Sequence, residues 1–407
     1  MLSYHTCPLA TLGGKDTGGM NVYVRDLSRQ LGRMGIHVDV FTRSQDEHVP
    51  HVLHDLGHGN RVVHVPAGAE TPLPKQELAS HIPEFVSGIL EFSQKKGLQY
   101  DLIHSHYWMS GIAARDLKAV WGTPIVHMFH TLGRMKNRVA GVGEAEGDYR
   151  IDGEQEVLRV ADRIVAATPA ELAQLQWLYK ANTQKVVIIP PGVDTCHFYP
   201  IDPDEAREFT RIPLHHHNVL FVGRIEPLKG IDILIRALGL INGRDQALVH
   251  PKHFCVAIIG GDPDASPEEM THEMTRLQKL RESAGVGEMV TFLGKRSQDT
   301  LPYYYSAANV LVMPSHYESF GMVALEAMAC GTPVIASQVG GLAFLVKDGE
   351  TGYHVPGDDP EALADRLMDL LTNDELRAKM GAQAAGYAKH YDWALIAKRL
   401  VGVYTDH

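Results

Sequence analysis

Short apolar and β-branched runs recur along the first half of the chain, with amphipathic stretches between several of them. These runs are LSYHT at the start, VDVFT, RVVHV, LIHSH, PIVHMFH, RIVAAT and KVVIIPPG. Between the first two runs, apolar residues at helical spacing predict a helix over 21–34. Its apolar face consists of Val24, Leu27, Leu31 and Met34. Strands that alternate with helices favour a parallel sheet whose two faces are covered.

The pattern restarts after about residue 200 with the runs NVLFVGR, FCVAIIGG, MVTFLG, NVLVMPS and PVIASQVGG. A last long helix is expected to begin at Pro360 with Asp359 as its cap. Prolines and a glycine interrupt the pattern in PPGVDTCHFYP, residues 190–200. The sequence therefore predicts an α/β fold of two doubly wound, Rossmann-like domains, residues 1–195 and 196–385, that face each other across a cleft.

Composition narrows the class of protein. The 407 residues are 44% apolar and 21% charged, and the net charge of −11 argues against a nucleic-acid binder, so phosphate binding requires a local group of cations. No apolar run is long enough for a membrane span, and the N-terminus does not have the pattern of a signal peptide. The four cysteines and 23 histidines do not have metal-ligand spacing. These features predict a cytoplasmic protein with free thiols, no metal and no membrane partner.

Three motifs follow predicted strands, where doubly wound sheets bind ligands. The first is the glycine-rich loop in HTCPLATLGGKDTGGMNVYV, residues 5–24, with Gly13, Gly14, Gly18 and Gly19. A strand, a glycine loop and a helix together form an anion site, because bare backbone N–H groups point at the ligand. The loop does not have the GxGxxG spacing of dinucleotide-binding proteins, and taken alone it also fits a plain flexible loop.

The second motif is FVGRIEPLKGID, residues 221–232, whose Arg224 and Lys229 suit a diphosphate or form a solvated pair. The third is PSHYESFGMVALEAMACGTPVIASQVGG, residues 314–341, in which Glu318 and Glu326 flank an apolar helix that begins near Gly321. Buried carboxylates need partners, and sugar or ribose hydroxyls would serve.

In this order, the three motifs resemble the GT-B family of retaining glycosyltransferases, which use nucleotide-diphosphate sugars, over essentially the whole chain. The resemblance implies that the four loop glycines approach the diphosphate, that Arg224 and Lys229 neutralise it, and that Glu326 binds the ribose. It further implies that Glu318 contacts the donor sugar, and that the following donor-binding residues complete the site: Phe320 and Gly321 through their backbone N–H groups, and Lys295 and Arg296 beside the base.

The resemblance also carries expectations for the rest of the molecule. It implies that no metal or other cofactor is required, and that a C-terminal helix over 386–407 crosses back to the first domain. Related chains begin with a short lead-in, so the N-terminus is expected to be trimmed. In catalysis, the leaving diphosphate is expected to take the acceptor proton, while Arg224 and Lys229 stabilise its growing charge. Glu318 is expected to contact the donor sugar, and His130 to hold that sugar near the acceptor.

Cations and hydroxyls accumulate in PLPKQEL, HSHYWMSG, HMFHTLGRMKN and DYRIDGEQEVL of the first half. In a chain of net charge −11 this favours a pocket for the phosphate of a sugar-like acceptor. The acceptor-binding residues predicted here are Asn21, Lys75, His106, Tyr107, Thr131, Arg134, Lys136 and Arg150. The remaining strand-end histidines, His104 and His127, are predicted to be structural.

Two subfamilies fit these segments. HTLGRMK and RIDGEQE resemble sucrose-phosphate synthases, which transfer glucose from UDP-glucose to fructose 6-phosphate. GGMNVYVRDL, HYWMSG and HTLxxxKN resemble the transferases that join N-acetylglucosamine to inositol 1-phosphate. The Gly133–Arg134 pair favours the synthase. Sucrose synthase acting on free fructose, a nucleotide-sugar epimerase and a non-catalytic sugar-nucleotide binder remain alternatives, although an epimerase would not need Lys75, Lys136 and Arg150.

Overall fold

A computed structural model of the chain describes residues 1–10, 17–139, 145–245, 250–266 and 270–406. The first half contains strands in the orders β1-β3-β2 and β4-β5-β6-β7, and residues 1–4 connect the two groups: the Leu2 amide donates to His104 O at 2.9 Å and the Ser3 amide to Phe41 O at 2.9 Å. The strands are β1 (Asp39–Arg43), β2 (Val52–Gly57), β3 (Asn60–Val65), β4 (Ile103–His106), β5 (Ile125–Met128), β6 (Arg163–Ala166) and β7 (Val186–Ile188).

The second half contains a six-stranded parallel sheet in the order β10-β9-β8-β11-β12-β13. Its strands are β8 (His217–Val222), β9 (Phe254–Ile259), β10 (Val290–Gly294), β11 (Val310–Met313), β12 (Val334–Ser337) and β13 (Gly352–Val355). The strand order reverses between β8 and β11, which is the place where open α/β sheets bind ligands.

Helices separate the strands in both halves. Those of the first half are α1 (Gly19–Arg33), α2 (Lys75–Leu78), α3 (Ile82–Lys96), α4 (Trp108–Trp121), α5 (Gly133–Arg138), α6 (Asp148–Val160) and α7 (Pro169–Tyr179). The others are α8 (Pro203–Thr210), α9 (Ile231–Arg244), α10 (His272–Ser283), α11 (Leu301–Ala307), α12 (Met322–Ala329), α13 (Leu342–Leu345), α14 (Pro360–Thr372), α15 (Asp374–Ala388) and α16 (Trp393–Thr405). Single 3-10 turns occur at Ala79–His81, Thr183–Lys185, Pro227–Lys229, Gln298–Thr300 and Lys389–Tyr391.

Alternate strand residues enter different hydrophobic clusters, so both faces of each sheet are covered. In β1, Val40 and Phe41 are buried in separate clusters, and in β8 Phe221 and Val222 are separated in the same way. The α/β fold with two Rossmann-like halves across a cleft is therefore confirmed.

Some expected elements differ. The sequence does not predict strands β2 and β13: β2 exposes His54 and Asp55 and pairs antiparallel at an edge, and β13 (GYHV) lacks a continuous apolar run. The helix at Pro360 is not the last long one: α15 follows it and buries mainly small residues, so it does not show an apolar stripe. Met34, predicted on the apolar face, directly follows α1 and is exposed.

The C-terminal helix α16 lies against the first half of the molecule. Trp393 at its start packs edge-on against Tyr23 of α1, with ring centroids 5.2 Å apart, and the Tyr404 hydroxyl is 2.7 Å from Nδ1 of His104 in β4. Boundaries at 195/196 and 385/386 stay a prediction. In the described ranges, no helix combines the length and the apolar content that crossing a bilayer requires.

Candidate active site

A cleft of about 270 Å³ separates the two halves at the carboxyl ends of their strands. Its first-half wall contains Gly18 and Gly19 before and at the start of α1, with His130 after β5. The opposite wall contains Lys229 after β8 and Glu318 after β11. A narrower pocket of about 110 Å³ lies alongside and shares Gly18, Gly19 and Arg224 with the cleft; its other predicted lining residues are Lys295, Arg296 and Glu326. Gly13 and Gly14 lie outside the described residues.

Cations and carboxylates are paired at the second-half wall. Lys229 Nζ is 2.6 Å from Glu318 Oε2, and Arg224 Nη2 is 3.0 Å from Glu226 Oε1. Both cations follow β8 and precede α9, as the motif predicts. A diphosphate in the cleft would meet both cations, with carboxylates that it can displace.

Gly340 and Gly341, in the loop after β12, lie directly against the loop that contains Glu318. Gly341 donates its amide to Glu318 O at 3.0 Å, and Gly340, with φ of +48°, lies so close that a Cβ there would be 1.9 Å from the same oxygen. Gly321 adopts φ of +102° before α12, and Phe320 and Gly321 both line the cleft. Only glycine tolerates such close approach and positive φ together.

Glu326 lies at the floor of the narrower pocket and is 6% exposed. Its carboxylate accepts hydrogen bonds from the Tyr305 hydroxyl at 2.7 Å and from Gln298 Nε2 at 3.2 Å. Burial raises the pKa of Glu326 to about 7, although these two hydrogen bonds favour the ionised form. Gln298 also accepts a hydrogen bond from Arg25 of α1, so residues of both halves converge on this carboxylate.

His130 occupies an unusual backbone position, with φ of +61°, at the cleft wall. Its Nε2 is 3.0 Å from His106 Nδ1, and burial together with His5 lowers the pKa of His130, so its imidazole is neutral. His106 is fully buried behind it and does not line the cleft. The expectation that His106 contacts the acceptor is therefore corrected: its strand-end position points it into the core, where it supports His130.

Only some of the residues predicted to bind the acceptor lie together in the structure. The predicted acceptor residues that line the first-half wall of the cleft are Asn21, Lys75, Tyr107, Thr131, Lys136 and Arg150. Asn21 is buried and binds the loop, donating to Thr6 Oγ1 and Cys7 O and accepting from the Gly18 amide. Arg134 is not part of the wall, because its guanidinium donates to Leu178 O at 2.7 Å and stacks on Tyr179; its assignment is corrected.

Arg150 lies at the first-half wall but is 1% exposed. Most of its guanidinium N–H groups already donate hydrogen bonds within the protein. Nε donates to Glu154 at 2.8 Å, Nη1 to Glu146 at 2.5 Å, and Nη2 to Thr131 O and Oγ1 at 3.0 Å. Glu154 in turn accepts from the Gly133 amide and from the Tyr179 hydroxyl. Arg150 is thus not the open phosphate ligand expected from sequence; one of its bonds would have to be exchanged.

Sequence reasoning missed Glu146, Glu154, Gln298, Tyr305 and Tyr317, the last of which lines the cleft. The spacing of four between Glu146, Arg150 and Glu154 is a signal that could have indicated their ion pairs. Gln298 and Tyr305 meet Glu326 only through the fold. Among the described side chains, no three of the His, Cys, Asp and Glu type lie together as a metal site requires.

Two protein-family models match the chain: Glycosyl transferases group 1 over residues 202–386, and Glycosyltransferase Family 4 over residues 17–197. Among curated proteins, a D-inositol 3-phosphate glycosyltransferase 2 of Catenulispora acidiphila is 40% identical, over 100% of this chain and 94% of that protein. A D-inositol 3-phosphate glycosyltransferase of Acidothermus cellulolyticus is 41% identical, over 100% and 89%.

Solved structures agree on the fold. Sucrose-phosphate synthase from Thermosynechococcus elongatus superposes with a TM-score of 0.89 and 35% identity, over 99% of this chain and 97% of that one. Anabaena HepE, in complex with UDP and glucose, superposes with a TM-score of 0.77 over 100% and 99%, at 19% identity, which supports the fold alone. The predicted GT-B arrangement is confirmed.

Proposed function

We propose that this chain, which belongs to the group 1 glycosyltransferases and is a hexosyltransferase, transfers N-acetylglucosamine from its UDP derivative to an inositol phosphate. The proposed acceptor is D-inositol 3-phosphate, which is the same compound as L-inositol 1-phosphate. The 40% and 41% identical relatives carry that acceptor in their names. The donor sugar and base follow from the resemblance of GGMNVYVRDL and HYWMSG to inositol-phosphate transferases.

The observation on which this proposal depends is the separation of two cationic groups in one cleft. Arg224 and Lys229 lie on the second-half wall, whereas Lys136 and Arg150 lie on the first-half wall beside Lys75. One group suits the diphosphate of a donor, and the other suits a phosphate on the acceptor. A free sugar or an epimerase substrate would use only the first group.

In the proposed reaction, the acceptor hydroxyl forms a bond to the anomeric carbon while the bond from that carbon to the diphosphate breaks. The acceptor proton passes to the leaving phosphate oxygen, and attack from the same face retains configuration. Arg224 and Lys229 stabilise the charge that grows on the diphosphate. The neutral His130 imidazole, held by His106, lies where it can position the donor sugar.

Sucrose-phosphate synthase activity, from UDP-glucose and fructose 6-phosphate to sucrose 6-phosphate, is the second candidate, supported by the 35% identical structure. The Gly133–Arg134 pair favoured it in the sequence. In the structure Gly133 binds Glu154 and Arg134 binds Leu178 O, so the pair has a structural role and discriminates weakly between acceptors.

The test is a matrix of donors and acceptors with release of UDP and product mass as readouts. UDP-N-acetylglucosamine and UDP-glucose would each be offered D-inositol 3-phosphate, inositol, fructose 6-phosphate and fructose. We expect turnover with UDP-N-acetylglucosamine and D-inositol 3-phosphate. Turnover with UDP-glucose and fructose 6-phosphate alone would replace the proposal with the synthase, and isomerised nucleotide sugar without any acceptor product would indicate an epimerase.

A further inference from the structure

Glu146 contacts two of the first-half wall cations that are expected to hold the acceptor phosphate, Lys136 and Arg150. Its Oε1 is 2.8 Å from Lys136 Nζ and 2.5 Å from Arg150 Nη1. A single carboxylate oxygen therefore bridges two of the cations on that wall. Lys75 is near enough to act on the same carboxylate electrostatically.

The backbone of Glu146 is fastened in this position. Its amide donates to Asn137 Oδ1 at 2.6 Å, and its carbonyl accepts from Asn137 Nδ2 at 2.9 Å. The side chain is 16% exposed. Burial opposes ionisation, but Arg150, Lys136 and Lys75 together lower the pKa of Glu146 below its ordinary value, so the group is an anion at neutral pH.

Arg150 is held in place even without Glu146. Glu154 is fully buried and accepts from Arg150 Nε, while Thr131 accepts twice from Nη2. These contacts orient the guanidinium with Nη1 toward Glu146. The Glu146 carboxylate, at the partly exposed side, is thus the partner that an incoming anion can replace with the least rearrangement.

We propose that Glu146 is a built-in counter-anion of the acceptor pocket, which competes with the acceptor phosphate for Lys136 and Arg150 and so makes this pocket selective for phosphate over weaker anions. The inference rests on the proposed function, because that function assigns the pocket to an acceptor phosphate. A phosphate dianion offers more charge and three oxygens, so it displaces one carboxylate, whereas a carboxylate-bearing or neutral acceptor does not.

The test uses the full chain and titrates inorganic phosphate by calorimetry, in the presence of UDP, with D-inositol 3-phosphate in a second series. Glu146→Gln removes the competing charge, and we expect phosphate affinity to rise about 10-fold, the scale of one charge-assisted hydrogen bond. The matched control is Glu156→Gln in helix α6, which begins two residues after Glu146; the Glu156 carboxylate pairs with Arg159 and Arg115 at the surface, so this change should leave the affinity unchanged.

Unchanged or weaker phosphate binding in a folded Glu146→Gln protein would overturn the inference, because Glu146 would then support the cations instead of competing with the ligand. Glu146→Ala repeats the test without an amide that could bind Arg150. The gain must also vanish when Lys136→Ala is added; a gain that persists would mean binding elsewhere and would likewise overturn it. Because inorganic phosphate needs no acceptor chemistry, failure of the donor–acceptor matrix with a retained Glu146→Gln effect would refute only the proposed function.

Discussion

Lys229 lies on the second-half wall of the cleft, where the proposed site binds both the diphosphate and the sugar of the donor. It pairs with Glu318 at 2.6 Å, and both side chains are only partly exposed. Because the pair is partly shielded from water, the lysine charge acts more strongly on a phosphate that replaces the carboxylate than it would in bulk solvent. The ion pair also holds the Glu318 carboxylate beside Lys229 in the cleft, so one residue organises the diphosphate and sugar ends of the proposed donor site.

Lys229→Ala should therefore reduce transfer on the order of 100-fold or more, the effect of removing one preorganised charge at a developing anion. Single-turnover release of UDP measures the chemical step. Lys279→Ala removes an exposed lysine of α10 and serves as the control, with normal turnover expected. Near-normal turnover of Lys229→Ala would exclude this lysine from the mechanism.

Glu326 gives a pH-dependent prediction. Burial raises its pKa to about 7, so the carboxyl is mostly ionised above pH 7 and becomes protonated below it. If the ionised form binds the ribose hydroxyls, the affinity of the wild-type chain for UDP falls as the pH drops from 8 to 6. Glu326→Gln should bind UDP about 10-fold more weakly at pH 8 and approach the wild-type affinity at pH 6. Calorimetry at the two pH values checks this; equal affinities at pH 8 would make Glu326 a structural residue.

At the scale of elements, the loop after β12 fixes the loop after β11. The backbone of Gly340 and Gly341 lies directly against Glu318 and Phe320, and the Gly341 amide donates to Glu318 O. The position of Glu318 in the cleft is therefore set by a second strand–helix connection as well as by its own.

Gly340→Ala should displace this loop, because the new Cβ would be 1.9 Å from Glu318 O and φ is already +48°. We expect at least a 10-fold loss of turnover and destabilisation of about 1–3 kcal/mol. Gly386→Ala in α15, where a Cβ meets open space, is the control and should keep full activity. Turnover assays with thermal melting test it, and an active, stable Gly340→Ala protein would show that the loop adjusts freely.

These elements also show which features of the fold and of the site can be predicted from the sequence. Continuous apolar runs predict buried parallel strands well, and the motifs after β8 and β11 place Arg224, Lys229 and Glu318 at one cleft. The direction of a polar side chain is not encoded locally: His106 and Arg134 follow or adjoin strand ends like true cleft residues, but they point into the core and toward α7. Pairings across the fold, such as those of Glu326, require the three-dimensional contacts themselves.

At the scale of the whole molecule, buried polar groups connect the halves. Arg25 of α1 donates to Gln298, which donates to Glu326, and α16 returns to place Tyr404 on His104. These hydrogen bonds link the geometry of the proposed donor site to the first half of the molecule, as a cleft built from both halves requires. The first half also contains a group of buried imidazoles, and the stability of the entire chain should depend on their protonation.

His104, His106 and His127 are almost completely buried, and burial lowers the pKa of each, that of His127 to about 3. Burial also lowers the pKa of the neighbouring His130 to about 3. The unfolded chain protonates them near pH 6.5, so their contribution to stability is complete above that pH and is lost as the pH falls. Glu171 and Glu326, with pKa raised to about 7, act in the opposite sense, since the folded form keeps their protons between pH 4.5 and 7.

Four histidines outweigh two carboxyls in this range, so near pH 5.5 the unfolded chain binds about two protons more than the folded chain. The free energy of unfolding should then decrease by about 2.7 kcal/mol for each pH unit around pH 5.5. Urea unfolding at pH 5, 5.5, 6 and 7, followed by intrinsic fluorescence, measures the slope. A flat or inverted profile would mean that these imidazoles take up protons in the folded protein, and that the neutral His106 support assigned to His130 does not persist at acidic pH.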